Sequence, residues 1–271
     1  MSIRRLVAEA LAEDLGERGD ITSELLIPAG RRATARVVSR ADGVLAGRAA
    51  GEEVLRQTGV GGDWRAEDGD RLSPGTVVAE IEGPARAVLT AERTLLNLLC
   101  HLSGIASLTA EYVAVCGDVQ VLDTRKTTPG LRDLEKAAVK AGGGVNHRMG
   151  LHDRVLVKDN HLALAGAGLI DAVARARREM PDVLVEVEAD DLPGVQLGLD
   201  AGADWILLDN MSPDEMREAV ALAGGRALLE ASGGMTLEGA RAAAATGVDA
   251  VSVGALTHSA PALDLGLDID V

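Results

Sequence analysis

The chain has 271 residues, and its 42 acidic side chains against 27 basic ones give a formal net charge of −15 at pH 7. It contains no Phe, one Tyr and two Trp, and so acidic a chain with so few rings lacks the basic surface and stacking side chains that nucleic-acid binding requires. The length allows one large or two modest domains, including a full α/β barrel.

Residues 1–16 have the apolar periodicity of an amphipathic helix and carry acidic side chains, unlike the basic start and apolar centre of a signal peptide. No apolar run approaches the roughly 18 residues that a membrane span requires. We therefore expect a cytoplasmic protein that binds neither membranes nor nucleic acids. Cys100 and Cys116 lack the spacing of a metal site and are expected to be buried free thiols.

The first hundred residues predict a small α+β domain. Segments 35–47 and 68–89 have turn-punctuated strand character, and a helix is predicted between them at 49–59. The second segment looks like a lipoyl-carrier hammerhead, but it has no lysine to modify. A long apolar helical segment follows at 90–116, with a break expected near Ser103 and Gly104. We assign residues 1–103, with the C-terminal tail from about 265 to 271, to this sandwich domain.

Residues 104–264 predict a catalytic α/β domain. Six apolar runs that read as buried parallel strands alternate with helical segments, several of which end in Gly; the runs are 119–124, 154–159, 182–188, 204–209, 226–232 and 249–254. Such alternation indicates a parallel sheet, and six strands rather than eight indicate an irregular or incomplete α/β barrel. The polar residues that end these strands should meet at one face, where barrel enzymes keep their sites.

All four lysines of the chain lie between residues 126 and 158, although the chain has 23 arginines. The window 121–160 holds 8 basic against 5 acidic residues. An acidic protein has thus kept one basic pocket, whose natural ligand is an anion. The cationic set can bind carboxylates or phosphates unless some members form structural ion pairs; it comprises Arg125, Lys126, His147, Arg148 and Lys158.

Glu188 and Asp209 end two neighbouring strands. Opposite a basic pocket they can hold a divalent cation, bind sugar hydroxyls or stabilise a developing positive charge, although each can also be a helix cap or an ion-pair partner. Glu186 is on the same strand face but one layer deeper, and it ranks second. Backbone N–H groups that follow the last two strands can seat a phosphate, and His258 follows directly; the residues are Ser232, Gly233, Gly234 and Gly254.

Motifs along nearly the whole chain resemble the quinolinate phosphoribosyltransferase family, above all LDTRKTTPGLR (122–132) and GGGVNHRMGLHD (142–153), with VKDNH, VEVE, ILLDNM, LEASGG and VSVGALTHSAP. The resemblance implies that quinolinate and phosphoribosyl pyrophosphate react to give nicotinate mononucleotide, pyrophosphate and carbon dioxide, with Mg²⁺ as cofactor. It also implies a homodimer or higher oligomer with shared active sites.

The resemblance further assigns roles to individual residues. Quinolinate would be bound by Arg125, His147, Arg148 and Lys158, with Arg93 reaching in from a second subunit. Lys126 would face the pyrophosphate, Glu188 and Asp209 the ribose and Mg²⁺, and Ser232, Gly233, Gly234, Gly254 and His258 the phosphate groups. Lys126, Lys158, Glu188 and Asp209 would be the catalytic residues.

Two other functions remain open at this point. One is a same-fold phosphoribosyltransferase with a different acceptor acid. The other is a class I aldolase-like barrel in which Lys158 forms a Schiff base, although the surrounding arginines disfavour it. A carrier module is disfavoured because no lysine precedes residue 126.

Overall fold

The structure is a computed structural model that describes residues 1–270. The first elements are α1 (Ile3–Leu15), α2 (Ile21–Leu26), β1 (Arg32–Ser39), β2 (Gly43–Val44), α3 (Arg48–Thr58), β3 (Gly61–Trp64), β4 (Arg71–Leu72), β5 (Val77–Pro84) and α4 (Ala85–Cys116). Then follow β6 (Gln120–Leu122), α5 (Arg132–Ala141), β7 (Val155–Val157), α6 (Asp159–Ala165), α7 (Leu169–Glu179), β8 (Val185–Ala189) and α8 (Leu192–Ala201). The last are β9 (Trp205–Asp209), α9 (Pro213–Ala223), β10 (Leu228–Ser232), α10 (Leu237–Ala244), β11 (Ala250–Ser252), α11 (Ala255–His258) and β12 (Leu265–Asp270).

Two compact units are present. The first contains residues 1–110, 127–143 and the described residues from 259 onward, and the second contains residues 111–126 and 144–258. The sequence assigns residues 104–264 to the catalytic domain, whereas the structure groups three parts of that range with the first unit, namely residues 104–110, 127–143 and 259–264. The physical reason is that Glu135 of α5 bonds to the ring of His101 at 2.9 Å, and that a Cβ on Gly142 would lie 2.3 Å from the carbonyl oxygen of Ala106.

The first unit is built on an antiparallel sheet of strand order β12-β1-β5-β3. Val37 of β1 lies opposite both Ala79 of β5 and Leu267 of β12, so the end of the described chain completes the sheet. Alternate residues of β5 are buried, and fully buried leucines of α4, including Leu95 and Leu99, belong to the same hydrophobic core.

Helix α4 runs unbroken for 32 residues, so the break expected near Ser103 and Gly104 is wrong. These small residues allow close packing instead of ending the helix. The hydroxyl of Ser103 accepts a hydrogen bond from the backbone N–H of Ala46 at 3.0 Å, and a Cβ on Gly104 would lie 2.1 Å from the carbonyl oxygen of Pro261. The contacts that select Ser and Gly come from residues distant in sequence.

The length and apolar character of α4 also correct the expectation that no apolar run approaches a membrane span. Among residues 1–270 it is the one helix long and apolar enough to cross a membrane by length and composition, with a mean hydropathy of 1.4 over 18 residues. The core helices of soluble proteins pass the same test, and α4 contributes fully buried leucines to the core of the first unit.

The second unit confirms the six predicted strands. They form one parallel sheet in the order β6-β11-β10-β9-β8-β7, with helices between successive strands. Asp209 lies in register with Ser232, and Glu188 with Leu207, so these strands end at nearly the same level. Side-chain caps start three of the following helices within a few residues of the strand ends; they are Asp191, Ser212 and Thr236. Short loops of this kind keep strand-end residues in fixed positions.

Candidate active site

A cavity of about 680 Å³ opens at the carboxyl ends of the parallel strands of the second unit. Its lining includes most of the residues singled out in the sequence, namely Arg125, Lys126, His147, Arg148, Lys158, Glu188, Asp209, Ser232, Gly233, Gly234 and Gly254. It also includes Asp123, Asn210 and Glu230, which were not chosen as site residues. The structure thus brings together residues that lie over 100 positions apart in the chain.

Two predicted site residues do not line this cavity. Arg93 is an exposed residue of α4 in the first unit. His258 ends α11 just behind the cavity wall, because a Cβ on Gly254 would lie 3.2 Å from its Nε2 and 3.1 Å from Cδ of Lys126. A side chain at position 254 would therefore be in tight contact with both Lys126 and His258, and each would have to shift slightly.

Asp123 and Thr257 position the cationic segments. Fully buried Asp123, just after β6, accepts a hydrogen bond from the backbone N–H of His147 at 2.9 Å. The hydroxyl of Thr257 donates to the carbonyl oxygen of Lys126 at 2.8 Å. One segment is therefore held by a group at a strand end and the other by a side chain of α11, which makes the site more rigid than a free loop would be.

Arg125 and Arg148 place two guanidinium groups near each other. Burial of Arg148 and the charge of Arg125 both lower the pKa of Arg148. Proteins tolerate neighbouring guanidinium groups when an anion binds between them, and the planar fork of Arg matches a carboxylate with two parallel hydrogen bonds. The pair is therefore suited to a ligand with carboxylate groups.

Lys158 and Glu188 form a direct ion pair between Nζ and Oε2. Lys158 lies at the N-terminus of α6, and Glu188 lies in β8. The side chain of Lys158 is 39% exposed and that of Glu188 is 15% exposed, so both remain open to the cavity. The structure thus gives Glu188 the ion-pair partner that the sequence left open, and a ligand that needs either charge must compete with this pair.

A buried polar cluster lies below the cations. It consists of His147, Glu186, Glu230 and Arg154: Nε2 of His147 is 3.1 Å from Oε2 of Glu186 and 3.2 Å from Oε2 of Glu230, and Arg154 reaches Glu186 at 3.3 Å. Both glutamates are at most 1% exposed. Glu186 is thus deep in the unit, as the sequence predicted from its strand position.

The protonation of this cluster follows from its hydrogen bonds. Burial lowers the pKa of His147, but the contacts with Glu186 and Glu230 outweigh it and raise the pKa to about 9. Nδ1 of His147, however, accepts a hydrogen bond from the backbone N–H of Arg148 at 2.7 Å, which a doubly protonated ring cannot do. Burial also raises the pKa of Glu230, with a further contribution from the charge of Glu186. A pKa of about 9 would place a second proton on the His147 ring at neutral pH, and the hydrogen bond to Nδ1 opposes this. We therefore assign that proton to Glu230, whose pKa burial raises, which leaves Glu186 ionised beside Arg154.

By residue type, His147, Glu186 and Glu230 could bind a metal ion, since their ligand atoms lie within 4.8 Å of one another. The hydrogen bond to Nδ1 places the ring proton on Nε2, the atom that faces the two carboxylates. A metal on Nε2 would require that proton to leave, and Arg154 already supplies positive charge there. The cluster is therefore better described as a hydrogen-bonded network that supports the bottom of the cavity than as a metal site.

Sequence reasoning missed Glu230, Arg154 and Asn210. Glu230 occurs two residues before Ser232, as Glu186 occurs two residues before Glu188, so strand alternation would have placed both acids on the inner face. Arg154 is the first residue of the predicted strand 154–159 and directly precedes β7. Its Cζ lies 5.2 Å from the ring centre of Trp205. No sequence signal indicated that pairing.

A parallel α/β sheet whose carboxyl ends open into a cavity lined by Arg125, Lys126, Arg148 and Lys158, together with acidic residues and a glycine-containing loop, is the arrangement of an α/β enzyme. Models of the quinolinate phosphoribosyl transferase N-terminal and C-terminal domains match residues 20–103 and 105–268. The chain belongs to the quinolinate phosphoribosyl transferase family.

Named relatives agree with this assignment. The nicotinate-nucleotide pyrophosphorylase [carboxylating] of Mycobacterium leprae (strain TN) is 46% identical, with 98% of this chain and 96% of the relative covered. A probable enzyme of the same name from Bacillus subtilis (strain 168) is 41% identical, with 99% and 94% covered. The solved nicotinate-nucleotide pyrophosphorylase of Francisella tularensis superposes with a TM-score of 0.93 at 38% identity, covering 99% of this chain and 96% of that one.

Proposed function

We propose that the protein is a phosphoribosyltransferase that couples quinolinate to phosphoribosyl pyrophosphate, with release of pyrophosphate and carbon dioxide, in the synthesis of nicotinate mononucleotide for NAD. The observation that carries this proposal is the cavity in which four cations lie together with the carboxylates of Glu188 and Asp209 and a glycine loop; the cations are Arg125, Lys126, Arg148 and Lys158. Both substrates are polyanions, which explains why a chain of net charge −15 keeps a basic pocket.

The acceptor acid is assigned to the arginine side of the cavity. Arg125 and Arg148 suit the two carboxylates of a pyridine dicarboxylate, with Lys158 as a further positive charge. Both ring nitrogens of His147 have protein partners, so His147 acts at this site chiefly by orienting Arg148, to whose backbone it is bonded.

The phosphate groups are assigned to the opposite side. Gly233 and Gly234 have φ values of +102° and +48°, a backbone form that glycine adopts without steric cost, and the backbone N–H groups that follow a strand end can bind an anion. Ser232, Gly254 and His258 flank this loop, and Lys126 is assigned to the pyrophosphate leaving group.

Glu188 and Asp209 fit a hard divalent cation, because both offer carboxylate oxygens at the edge of the phosphate side. Mg²⁺ bound with the pyrophosphate would neutralise its charge as it leaves. We expect activity to be lost in excess chelator while the thermal unfolding midpoint stays unchanged. Full activity without divalent metal would contradict this role.

The protein's own contribution to the reaction is positioning and electrostatics. When the C1–pyrophosphate bond breaks, positive charge develops on the ribose, and the carboxylates of Glu188 and Asp209 stabilise it. The pyridine nitrogen then forms the new bond and becomes cationic. That charge stabilises the electron pair left when the adjacent carboxylate departs as carbon dioxide, and a proton replaces it. No covalent enzyme intermediate is required.

The direct test is carbon dioxide release from carboxyl-labelled quinolinate. We expect release with phosphoribosyl pyrophosphate and none without it, and no release when nicotinate-type monocarboxylates replace quinolinate. Release without the phosphoribosyl donor, or borohydride trapping of Lys158 with a carbonyl substrate, would contradict the proposal and favour Schiff-base chemistry.

The site is further proposed to be shared between subunits of a homodimer in the cytoplasm. Arg93 is an exposed arginine of the first unit, and in a two-fold dimer each first unit can cover the partner's second unit. Arg93 would then reach a quinolinate carboxylate in trans.

A further inference from the structure

Asn210 is the only non-glycine residue among residues 1–270 with a positive φ, at +56°. It follows Asp209 at the end of β9 and lines the cavity. L-residues other than Gly visit this left-handed region rarely, and Asn does so more readily than most. Strained backbone of this kind is retained where the surrounding contacts demand it.

Three contacts of Asn210 hold its backbone in this left-handed conformation. The backbone N–H of Asn210 donates to the carbonyl oxygen of Ser232 at 3.0 Å. Its side-chain Nδ2 donates to Oδ2 of Asp209 at 2.9 Å. Its Oδ1 lies against Gly233, where a Cβ would be only 2.1 Å from that oxygen.

We infer that Asn210 is a positioning residue that holds the carboxylate of Asp209 in a fixed orientation against the phosphate-binding loop at Ser232 and Gly233. This inference rests on the proposed function, in which Asp209 serves the ribose and metal side of phosphoribosyl pyrophosphate. By engaging Oδ2, the amide of Asn210 leaves Oδ1 of Asp209 for the ligand. The carboxylate and the phosphate loop are thereby set in one arrangement before the substrate binds.

Few residues could replace Asn210. Gly would adopt the positive φ without cost but has no amide to donate. Asp would tolerate the backbone conformation, but it would place a second carboxylate beside Asp209 and repel it. Most other side chains would add backbone strain. Asn alone combines tolerance of the conformation with an N–H donor of this length.

The test compares Asn210→Gly and Asn210→Asp with the parent protein. Binding of phosphoribosyl pyrophosphate with Mg²⁺ and binding of quinolinate are each measured by calorimetry, and kcat and KM are measured for both substrates. Since a hydrogen bond to a charged group is being removed, we expect donor affinity to fall on the order of tenfold in Asn210→Gly and further in Asn210→Asp. Quinolinate affinity should stay within about twofold, because the arginine side of the cavity is untouched.

A double-mutant cycle separates positioning from a general structural role. In an Asp209→Asn background the Asn210→Gly change should alter donor affinity little, because the carboxylate to be positioned is gone. The backbone bond to Ser232 is present in every variant and cancels. The role of Asn210 would be overturned by any one of three results. These are an unchanged donor affinity in both single variants, an equal loss of affinity for both substrates, and additive effects in the double-mutant cycle. A parent protein that does not bind phosphoribosyl pyrophosphate would instead overturn the proposed function itself.

Discussion

Oδ1 of Asp123 accepts a hydrogen bond from the backbone N–H of His147 at 2.9 Å. A fully buried carboxylate at a strand end thus holds the start of the His147–Arg148 segment. The ring of His147 in turn accepts a hydrogen bond from the backbone N–H of Arg148 at 2.7 Å. The backbone position from which the Arg148 side chain extends is therefore fixed. These two hydrogen bonds limit the positions that the guanidinium group of Arg148 can reach.

Arg148→Lys is accordingly expected to weaken quinolinate binding by about 1.5 to 3 kcal/mol, the range for hydrogen bonds to charged groups. The ammonium keeps the charge but cannot form two parallel bonds to one carboxylate. Calorimetric titration with quinolinate measures the loss. Arg217→Lys, on an exposed helix position, is the matched control and should change nothing. Unaltered quinolinate affinity in Arg148→Lys would exclude Arg148 from the acceptor site.

Arg93→Ala and Asp209→Ala are expected to be nearly inactive as separate homodimers. If Arg93 acts in trans, a heterodimer of the two carries both lesions in one site and leaves the other intact, so mixing by subunit exchange should restore activity. Native mass spectrometry verifies the exchange. A confirmed heterodimer as inactive as its parents would mean that Arg93 acts within its own chain or is structural.

Glu186→Gln should cost far more stability than Glu230→Gln. Although burial opposes it, His147 and Arg154 lower the pKa of Glu186, so the substitution leaves Arg154 without its anion and should cost about 3 kcal/mol. Glu230 carries the proton in our assignment, and its amide replacement should cost less than about 1 kcal/mol. Urea unfolding of both variants provides the comparison. Equal losses would show that the proton is not on Glu230.

Gly104→Ala is expected to destabilise the protein by about 1 to 3 kcal/mol through overpacking. The new methyl group would lie 2.1 Å from the carbonyl oxygen of Pro261. Gly239→Ala in α10 is the control, because its Cβ would meet nothing closer than 3.4 Å and should be neutral or slightly stabilising. Thermal unfolding midpoints decide between them, and a tolerated alanine at 104 would refute the packing explanation.

Asp20 caps α2, and its hydrogen bonds with Ser23 lower the pKa of its carboxyl. A lowered folded-state pKa contributes stability above the unfolded value, and that stability is lost as pH falls below about 4. Asp20→Ala should therefore cost about 1 kcal/mol at pH 7, with a smaller difference from the parent below pH 4. Asp20→Asn, which caps without charge, should show little loss at pH 7. A difference between Asp20→Ala and the parent that does not change with pH would contradict this account.

The sequence predicted the second unit well because its buried strands are continuous apolar runs that end in polar residues. Placing those ends at one face then followed from the parallel sheet, and the cavity contains Lys158, Glu188 and Asp209 accordingly. Strand alternation also predicted the depth of Glu186. These inferences depend only on local pattern and on one general rule of topology.

Features that depend on distant partners were not predictable in this way. Ser103 and Gly104 look like a helix break until Ala46 and Pro261 are seen packed against them. The protonation of Glu230 depends on its contacts with His147 and Glu186, which come from two other segments of the chain. The roles of individual site residues, and any contribution of Arg93 across subunits, depend on ligands and partners and stay predictions.

The four lysines differ sharply in exposure. Lys136 is fully buried and Lys140 is exposed on α5, while Lys126 and Lys158 line the cavity. A reagent that acylates amines therefore has few lysines to modify, and protection of Lys126 and Lys158 by an added ligand would test whether that ligand occupies the cavity, with Lys140 as an internal reference. Immobilisation through amines would tend to block the cavity, whereas coupling through the 42 acidic residues would mostly leave it open.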